Sequence, residues 1–316
     1  MSDVVVSEFM NEAALVPLAE KYDVLFDPSL VDDRPRLLGS LGDAVGLIVR
    51  NRTQVDDELL AAAPRLQVVG RLGVGLDNID LAACEQRGVA VHPATGANAQ
   101  AVAEYVVAAI FLLFRGAFLS SARLIDGEWP RGDLQGREIA GKRLGLIGYG
   151  TIARMVSARA WDLGMQVAAY DPYLPADDPA WETADRVTEL DDLLAEADAV
   201  SLHVPLTDDT RHLLDVAALM MLPKGAIVIN TARGGIVDDV ALAAAVRSGH
   251  LAGAALDVFE NEPLSTEDGQ IFAGLDNVVL TPHIAGLTKE SNARVSDMTV
   301  QNVLQTLNDQ QAQKTE

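Results

Sequence analysis

The sequence predicts an α/β protein of two domains, each built on a doubly wound parallel β-sheet. The chain has 316 residues, enough for two domains, and 49% of them are hydrophobic, enough to fill two cores. Short apolar runs typical of buried strands alternate with helical patterns in two separate blocks of the chain. Because parallel strands need long crossover connections, this alternation favours parallel sheets that are covered by helices on both faces.

The first block covers about the first hundred residues. The apolar runs predict strands at 4–7, 24–26, 44–49, 66–70 and 89–91. The spacing of apolar residues predicts helices at 11–21, 56–63 and 79–87.

A long helical pattern follows, from Ala97 to about Asp126, with apolar residues on most of its faces. A helix of this kind is buried, either in its own chain or in an interface between two chains. We favour the second interpretation, which predicts a homodimer that uses this helix.

The second block continues the alternation of strands and helices. Its strands are expected at 144–147, 167–170, 199–204, 226–230, 253–256 and 278–280. The segment from Lys289 to Leu307 reads as one amphipathic helix, too short to be a domain, so we expect it to pack on the first block. This predicts a discontinuous first domain, 1–97 plus 287–316, and a continuous second domain, 98–286.

A glycine-rich turn marks a nucleotide site at the start of the second block. Strand 144–147 leads into Gly148-x-Gly150-x-x-Ala153, and a helix and a second strand then end at Asp171. The glycines allow a sharp turn and a close approach to a pyrophosphate, which the helix N-terminus attracts. Asp171 lies about 20 residues further on, where a carboxylate accepts the ribose hydroxyls and repels a 2′-phosphate. The sequence therefore predicts a Rossmann domain that binds NAD rather than NADP.

Three polar residues follow predicted strands of the second block: Arg233, Glu262 and His283. In open α/β sheets, ligands bind beyond the carboxyl ends of the strands, so all three are candidates for one site. Histidine exchanges a proton near neutral pH, and a carboxylate beside its other ring nitrogen fixes the tautomer. An arginine holds a substrate carboxylate and polarises a 2-oxo group. This set suits hydride transfer to and from a 2-hydroxy acid.

The motifs Gly148-x-Gly150, Asn230–Gly235, Asp257–Pro263 and Thr281–His283 occur in the same order as in the D-isomer-specific 2-hydroxyacid dehydrogenases. The chain resembles that family over essentially its whole length. The resemblance implies a Rossmann NAD-binding domain inserted in a flavodoxin-like substrate domain. It implies Arg233 as substrate-binding cation, Glu262 as partner of the histidine, and His283 as acid/base. The cofactor residues that it implies are Gly148, Tyr149, Gly150, Thr151, Ile152, Asp171, His203, Pro205, Thr210, Thr231, Ala232, Asp257, His283 and Gly286.

Two loops of the first block are candidates for substrate binding. The resemblance implies that the backbone amides of Val74 and Gly75 hold the substrate carboxylate. A second loop carries Arg50, Asn51 and Arg52, which provide more positive charge than an alkyl group needs. We therefore expect a second anionic group on the substrate, although these arginines could also be solvated or pair with neighbouring Asp.

Several branches of the family, which act on different substrates, remain open for this chain. Arg50-x-Arg52-Thr53 resembles a motif of D-3-phosphoglycerate dehydrogenases, many of which carry additional regulatory domains. Ser7–Met10 together with Arg50–Val55 is more similar to the (S)-3-sulfolactate dehydrogenase branch. NAD-binding corepressors of the same fold, which act as scaffolds, keep the Arg/Glu/His set, and formate dehydrogenases act on a substrate without a 2-hydroxyl. The acidic surface argues against the scaffold, and the two arginines argue against formate.

Composition limits the partners and the compartment. The net charge of −22 opposes binding to nucleic acid and to anionic membranes. Cys84 is the single cysteine, which suits a reducing compartment, and the N-terminus lacks the pattern of a signal peptide. We expect a cytoplasmic enzyme with a small anionic substrate and no metal site.

Overall fold

A computed structural model describes residues 2–313 and divides the chain into two compact units. Unit 1 comprises Met1–Asn98 and Leu287–Glu316, and unit 2 comprises Ala99–Gly286. Each unit contains one sheet in which all strand pairs are parallel. The predicted fold class is therefore confirmed.

Unit 1 has a five-stranded sheet in the order β2-β1-β3-β4-β5. Its strands are β1 (Val4–Val6), β2 (Val24–Phe26), β3 (Gly46–Val49), β4 (Val68–Arg71) and β5 (Ala90–Pro93). Its helices are α1 (Val16–Ala19), α2 (Arg34–Ser40), α3 (Asp57–Ala62), α4 (Leu81–Gln86) and α12 (Lys289–Gln313). The central strands β1 and β3 are buried along their whole length, which explains their continuous apolar sequence.

Unit 2 has a seven-stranded sheet in the order β12-β11-β10-β9-β6-β7-β8. Its strands are β6 (Arg143–Ile147), β7 (Gln166–Tyr170), β8 (Asp185–Arg186), β9 (Ala199–Leu202), β10 (Ile227–Asn230), β11 (Gly253–Leu256) and β12 (Val278–Leu280). Its helices are α5 (Ala99–Arg115), α6 (Ser121–Ile125), α7 (Thr151–Asp162), α8 (Leu190–Glu196), α9 (Val216–Met221), α10 (Asp239–Arg247) and α11 (Thr266–Gly269). The first strand, β6, lies between β7 and β9, so the strand order reverses beside it. Ligands bind at such a reversal in doubly wound folds.

The chain returns to unit 1 through α12. Val295, Val300 and Val303 are buried in the same core as β1. Gly70 of β4 lets the helix approach, because an added Cβ would lie 2.6 Å from Val303 Cγ2. The helix extends to Gln313, six residues beyond the predicted end at Leu307.

The predicted helix from Ala97 to Asp126 is wrong in extent. It ends at Arg115, because Gly116 adopts a left-handed conformation (φ 61°), and the chain continues as a 3-10 helix, Ala117–Leu119, and α6. The apolar faces of α5 are buried in the core of its own unit, with Val106 and Ile110 at most 1% exposed. This helix therefore does not need a second chain to cover it.

The predicted helix at 11–21 is also interrupted. Asn11 caps a 3-10 helix, Glu12–Leu15, and α1 then begins with Pro17 in its first turn. Proline has no N–H for the helical ladder but fits a first turn, so it favours a new start over a continuous helix.

Many of the helices have an aspartate as their N-cap residue. Asp33, Asp56, Asp80, Asp215 and Asp238 each cap a helix by accepting a backbone N–H. Part of the acidic composition thus has a structural use. Between residues 2 and 313, no helix is both long and apolar enough to cross a membrane.

Candidate active site

The loop after β10 presents Arg233 and is held by the last residue of the strand. Asn230, which is buried, accepts the N–H of Ala232 at 3.0 Å and donates to the carbonyl of Arg233 at 2.8 Å. Gly234 packs directly on the next loop, because an added Cβ would lie 1.9 Å from the carbonyl oxygen of Phe259. The loops after β10 and β11 are therefore in contact.

His283 and Glu262 meet side chain to side chain. His283 Nδ1 lies 2.7 Å from Glu262 Oε2, and Glu262 Oε1 accepts the N–H of Phe259 at 3.1 Å. This contact places the proton of Nδ1 towards the carboxylate and leaves Nε2 as the nitrogen for proton exchange. The histidine side chain is 44% exposed.

Asp257 holds the turn that carries His283. Its carboxylate is buried and accepts Thr281 Oγ1 at 2.6 Å and the N–H groups of Ile284 and Ala285 at 2.8 Å each. His283 itself has φ 52°, a conformation that is uncommon for residues other than glycine and is typical of constrained functional sites. Because a carboxylate offers about four acceptor positions, Asp257 keeps capacity for one further donor.

Two ionisable groups near these loops have shifted pKa values. Partial burial opposes ionisation of Glu262, but the hydrogen bond and charge of His283, the N–H of Phe259 and the charge of Arg233 outweigh it and lower its pKa. Glu262 is therefore an anion at neutral pH. Burial lowers the pKa of His203 to about 4, so this imidazole, 3.0 Å from Ser201 Oγ, is neutral.

The glycine-rich turn connects β6 to α7 and leaves the start of that helix open. Gly148 has φ 85°, and a Cβ there would lie 2.7 Å from the carbonyl oxygen of His203, so glycine is required. A Cβ on Gly150 would meet nothing within 4 Å, and Gly150 precedes α7 as an N-cap residue that offers no side-chain hydrogen bond. Unpaired N–H groups at a helix start attract phosphate.

Tyr149 contributes only its backbone to this turn. Its side chain is fully buried, stacks on Trp181 with ring centroids 5.3 Å apart, and contacts Ser157 Oγ at 3.1 Å. Its N–H is occupied by Asp171 Oδ2 at 2.9 Å.

The site in unit 2 fits a dinucleotide on three observations. Asp171 directly follows β7 beside the glycine turn, and its carboxylate accepts three backbone N–H groups, which fix its orientation. The open start of α7 suits a pyrophosphate. Thr231 Oγ1 is buried without a hydrogen-bond partner among residues 2–313, a cost that a bound ligand relieves.

The remaining residues predicted for the cofactor occupy the same loops of unit 2. Thr151 and Ile152 begin α7, and Ala232 and Gly286 are half-buried in the loops after β10 and β12. Thr210 Oγ1 donates to the carbonyl of Pro205 at 2.7 Å and thereby closes the loop after β9.

In unit 1, the loop after β4 presents the N–H groups predicted to bind a carboxylate. Gly73 has φ 143°, and the position of its absent Cβ is taken by Arg71 Nη1, 1.6 Å away. Val74 is 39% exposed. Within residues 2–313, the N–H groups of Val74 and Gly75 donate to no backbone carbonyl. They remain free to bind an anion.

The loop after β3 carries Arg50, Asn51 and Arg52 and wraps around a buried carboxylate. Glu8, which is 4% exposed, accepts the N–H groups of Arg50 at 2.8 Å, Asn51 at 3.4 Å, Arg52 at 3.2 Å and Thr53 at 2.9 Å. The backbone of this loop therefore faces Glu8.

The two arginines of this loop differ in their surroundings. Arg50 Nη1 donates to the carbonyl of Phe9 and to Asn292 Oδ1, both at 3.1 Å. Burial lowers the pKa of Arg50 while the charge of Glu8 opposes the shift, and the guanidinium stays charged. Arg52 is exposed and forms an ion pair with Asp32. This is the pairing with a neighbouring Asp that the sequence left open as an alternative.

Sequence reasoning missed three residues that shape these loops. Glu8 was noted only as part of a motif, and Asn78 and Asn292 were not singled out as functional residues. Asn78 Nδ2 donates to the carbonyl of Thr53 at 2.6 Å. A charged residue two positions after a fully apolar strand was the available signal for Glu8, whereas nothing in the local sequence marks the two asparagines.

The chain matches known proteins along its length. The profile of the family "D-isomer specific 2-hydroxyacid dehydrogenase, NAD binding domain" matches residues 107–285. The chain is 57% identical to the (S)-sulfolactate dehydrogenase of Chromohalobacter salexigens over 97% of its own length and 99% of that protein. It is 41% identical to the D-3-phosphoglycerate dehydrogenase of Mycobacterium leprae over 92% of its own length, but spans only 54% of that protein.

A solved structure supports the same assignment. The D-lactate dehydrogenase of Aquifex aeolicus, complexed with NAD and lactic acid, is 30% identical with a TM-score of 0.83. The alignment covers 98% of this chain and 96% of that one.

Proposed function

We propose that this chain, which belongs to the D-isomer specific 2-hydroxyacid dehydrogenases, oxidises (S)-3-sulfolactate to 3-sulfopyruvate. The family is NAD-dependent, and NAD is the cofactor of unit 2. The observation that carries the choice of substrate is the Arg50–Arg52 loop. Within unit 1, the amides of Val74 and Gly75 are assigned to the substrate carboxylate, so Arg50 and Arg52 are left for a second anion. The 57% identity to a sulfolactate dehydrogenase supports a sulfonate.

Stereochemistry supports this assignment to a D-specific family. In sulfolactate the sulfonated carbon outranks the carboxylate in naming, whereas in lactate the carboxylate outranks the methyl group. The (S) label of sulfolactate therefore describes the same spatial arrangement as D-lactate.

We assign the chemical roles as follows. His283 Nε2 takes the proton of the substrate hydroxyl, and Glu262, an anion at neutral pH, stabilises the imidazolium that forms. Arg233 binds the carboxylate and polarises the oxygen on which negative charge develops. Bound NAD supplies the nicotinamide that accepts the hydride.

We assign the cofactor to the loops of unit 2. The amides at the start of α7 hold the pyrophosphate, Asp171 accepts the hydroxyls of the adenosine ribose, and Thr231 Oγ1 pairs with the cofactor. Asp257 uses its remaining acceptor position for the nicotinamide carboxamide. His203, Pro205, Thr210, Ala232 and Gly286 line the same pocket.

In this proposal, Arg50 and Arg52 bind the second anionic group of the substrate. Arg50 is half-buried and held in place, so it contributes most. Arg52 has to leave its ion pair with Asp32, which costs little because both side chains are exposed to solvent.

We further propose that the enzyme is a cytoplasmic homodimer. Its single cysteine, Cys84, is free and buried, which suits a reducing compartment. Phe118, Ile125 and Trp129 follow α5 in unit 2 and are 67%, 84% and 81% exposed. A second copy of the chain would cover these apolar side chains.

The test is steady-state oxidation of several acids with NAD by the wild type, Arg50→Ala and Arg52→Ala. The acids are (S)-3-sulfolactate, 3-phospho-D-glycerate, D-lactate, D-glycerate and D-malate. Sulfolactate should have the highest kcat/KM, and Arg50→Ala should raise its KM about tenfold or more, the usual worth of a hydrogen bond to a charged group. The KM for D-lactate should stay nearly unchanged.

Arg65→Ala is the matched control, because Arg65 is an exposed arginine of unit 1 that pairs with Asp43. This variant should have the same KM and kcat as the wild type for all five acids. A wild type that prefers D-lactate, with both loop variants unaffected, would refute the proposed substrate.

A further inference from the structure

Four successive backbone N–H groups converge on one side chain in unit 1. The donors are those of residues 50–53, and the acceptor is the buried carboxylate of Glu8, at 2.8–3.4 Å. A concave array of backbone N–H groups is an anion-binding nest, and here a side chain of the same chain fills it. The backbone of the arginine loop therefore depends on Glu8.

Further contacts fix the arginine loop to the segment around Glu8. Ser7 Oγ and Thr53 Oγ1 are 2.9 Å apart, and both residues are buried. Arg50 Nη1 donates to the carbonyl of Phe9 and to Asn292 Oδ1 of α12. The guanidinium of Arg50 thus has one orientation, set by the residue after Glu8 and by one asparagine.

The arginine loop is also connected to the carboxylate-binding loop of the same unit. Asn78, which follows Val74–Asp77, donates from Nδ2 to the carbonyl of Thr53 at 2.6 Å, and its backbone carbonyl accepts the N–H of Val55 at 2.9 Å. These bonds hold the arginine loop at a fixed distance from the amides of Val74 and Gly75. That distance determines which separation of two anionic groups a ligand must have.

We propose that Glu8 is a positioning residue for substrate specificity: it places Arg50 relative to the carboxylate-binding loop and thereby selects acids with a second anion at carbon 3. The inference rests on the proposed function, in which Arg50 binds the second anion. Glu8 does not touch the substrate, because the carboxylate is buried beneath the loop.

Two explanations of the role of Glu8 predict opposite effects of removing its carboxylate on the binding of an anion by the arginine loop. If Glu8 mattered only as a negative charge near Arg50, its loss would strengthen the attraction of an anion. If it matters as an acceptor for four N–H groups, an amide in its place turns a donor towards two of those N–H groups, and the loop rearranges. The convergence of four N–H groups on the carboxylate supports the second explanation, in which Glu8 acts as a hydrogen-bond acceptor.

The experiment compares two substitutions that separate these effects. Glu8→Gln keeps the side-chain length and removes the charge, whereas Glu8→Asp keeps the charge and shortens the reach. Both should raise the KM for sulfolactate about tenfold or more, because a charged hydrogen-bond set is broken. The KM for NAD and the kcat/KM for D-lactate should change little. Asp57→Asn, an exposed carboxylate of the same unit, is the control.

Asn292→Ala provides a second route that leaves Glu8 in place. It removes the side chain that holds Arg50 and should produce the same selective rise in the KM for sulfolactate, even where the Glu8 variants fail to fold. Equal losses for D-lactate and sulfolactate, unchanged kinetics, or a lower KM for sulfolactate in Glu8→Gln would each overturn the inference.

The wild-type panel separates this inference from the proposed function. A wild type that does not oxidise sulfolactate but prefers 3-phospho-D-glycerate or D-malate overturns the substrate assignment alone, and the Glu8 variants are then compared on that preferred acid. A wild type that prefers monoanionic acids overturns both. A wild type that prefers sulfolactate, with non-selective Glu8 and Asn292 variants, overturns the positioning role alone.

Discussion

The ring of His283 is oriented by one carboxylate, and its backbone is oriented by another. Glu262 holds Nδ1, and Asp257 accepts the N–H groups of the two following residues. The pKa of Glu262 is lowered, chiefly by His283 against the effect of burial. Its support of the imidazolium is therefore present at neutral pH and is lost only as the pH falls through that lowered pKa.

In the proposed mechanism His283 exchanges the proton of the reaction. His283→Ala should lower kcat about a hundredfold or more, the usual contribution of a positioned general acid/base. Because the ring lies outside the glycine turn and Asp171, the affinity for NADH, measured by fluorescence titration, should change little. His250→Ala is a control histidine in the same unit. Full activity of His283→Ala would exclude this role.

At the scale of single elements, the N-terminus of α10 combines several negative charges. Burial raises the pKa of Asp239 to about 6, with the charges of Glu260 and Asp238 adding to the shift and His212 opposing it. A group whose folded pKa is raised stabilises the fold below its unfolded pKa and destabilises it above the folded value. Ionised Asp239 is thus unfavourable at neutral and alkaline pH.

Asp239→Asn should therefore stabilise the protein at pH 8 and have little effect near pH 4. The shift from 3.8 to about 6 corresponds to ~2 kcal/mol in the free energy of unfolding after allowance for partial exposure. Urea unfolding at the two pH values measures the difference. Asp276→Asn, in an exposed loop, is the control. A stabilisation of equal size at both pH values would contradict the assigned pKa.

The sequence predicted the strands better than the helices, for physical reasons. Central strands such as β1 and β3 are continuous apolar runs because both faces of a parallel sheet are buried. The end of α5 depends on Gly116, which is compatible with a helix as well as with its end. The apolar residues after it continue the same pattern, so pattern alone could not separate buried α5 from the exposed segment 117–129.

The candidate site was predictable where a motif contains the whole arrangement. Arg233, Glu262 and His283 follow strands, and the topology of a parallel sheet predicts where strand ends lie. Glu8 and Asn292 could not be found in this way, because they act on the loop at 50–53 from distant parts of the chain. Only folding brings Glu8 and Asn292 close to this loop.

At the scale of the whole molecule, the net charge of −22 and the exposed apolar segment act in opposite directions on assembly. Charge repulsion keeps copies apart, whereas burial of Phe118, Ile125 and Trp129 favours association. Because each large apolar side chain contributes about 1.5–3 kcal/mol when fully buried, and salt screens the repulsion, we expect association to win.

The wild type should sediment as a dimer, twice the 33.6 kDa of the chain, in analytical ultracentrifugation. Ile125→Asp combined with Trp129→Ser should give a monomer, since both side chains lie on the exposed segment. Val240→Ser, at another exposed apolar residue of unit 2, is the control and should remain a dimer. A monomeric wild type would contradict the proposed assembly.

The most direct test of the central claim is the initial rate of NADH formation with (S)-3-sulfolactate, its (R) enantiomer and 3-phospho-D-glycerate, measured side by side. The account predicts turnover of the (S) enantiomer, none of the (R) enantiomer, and a kcat/KM for phosphoglycerate that is lower by about tenfold or more, the effect of ~1.4 kcal/mol in transition-state binding. Equal use of both enantiomers, or a preference for phosphoglycerate, would contradict it.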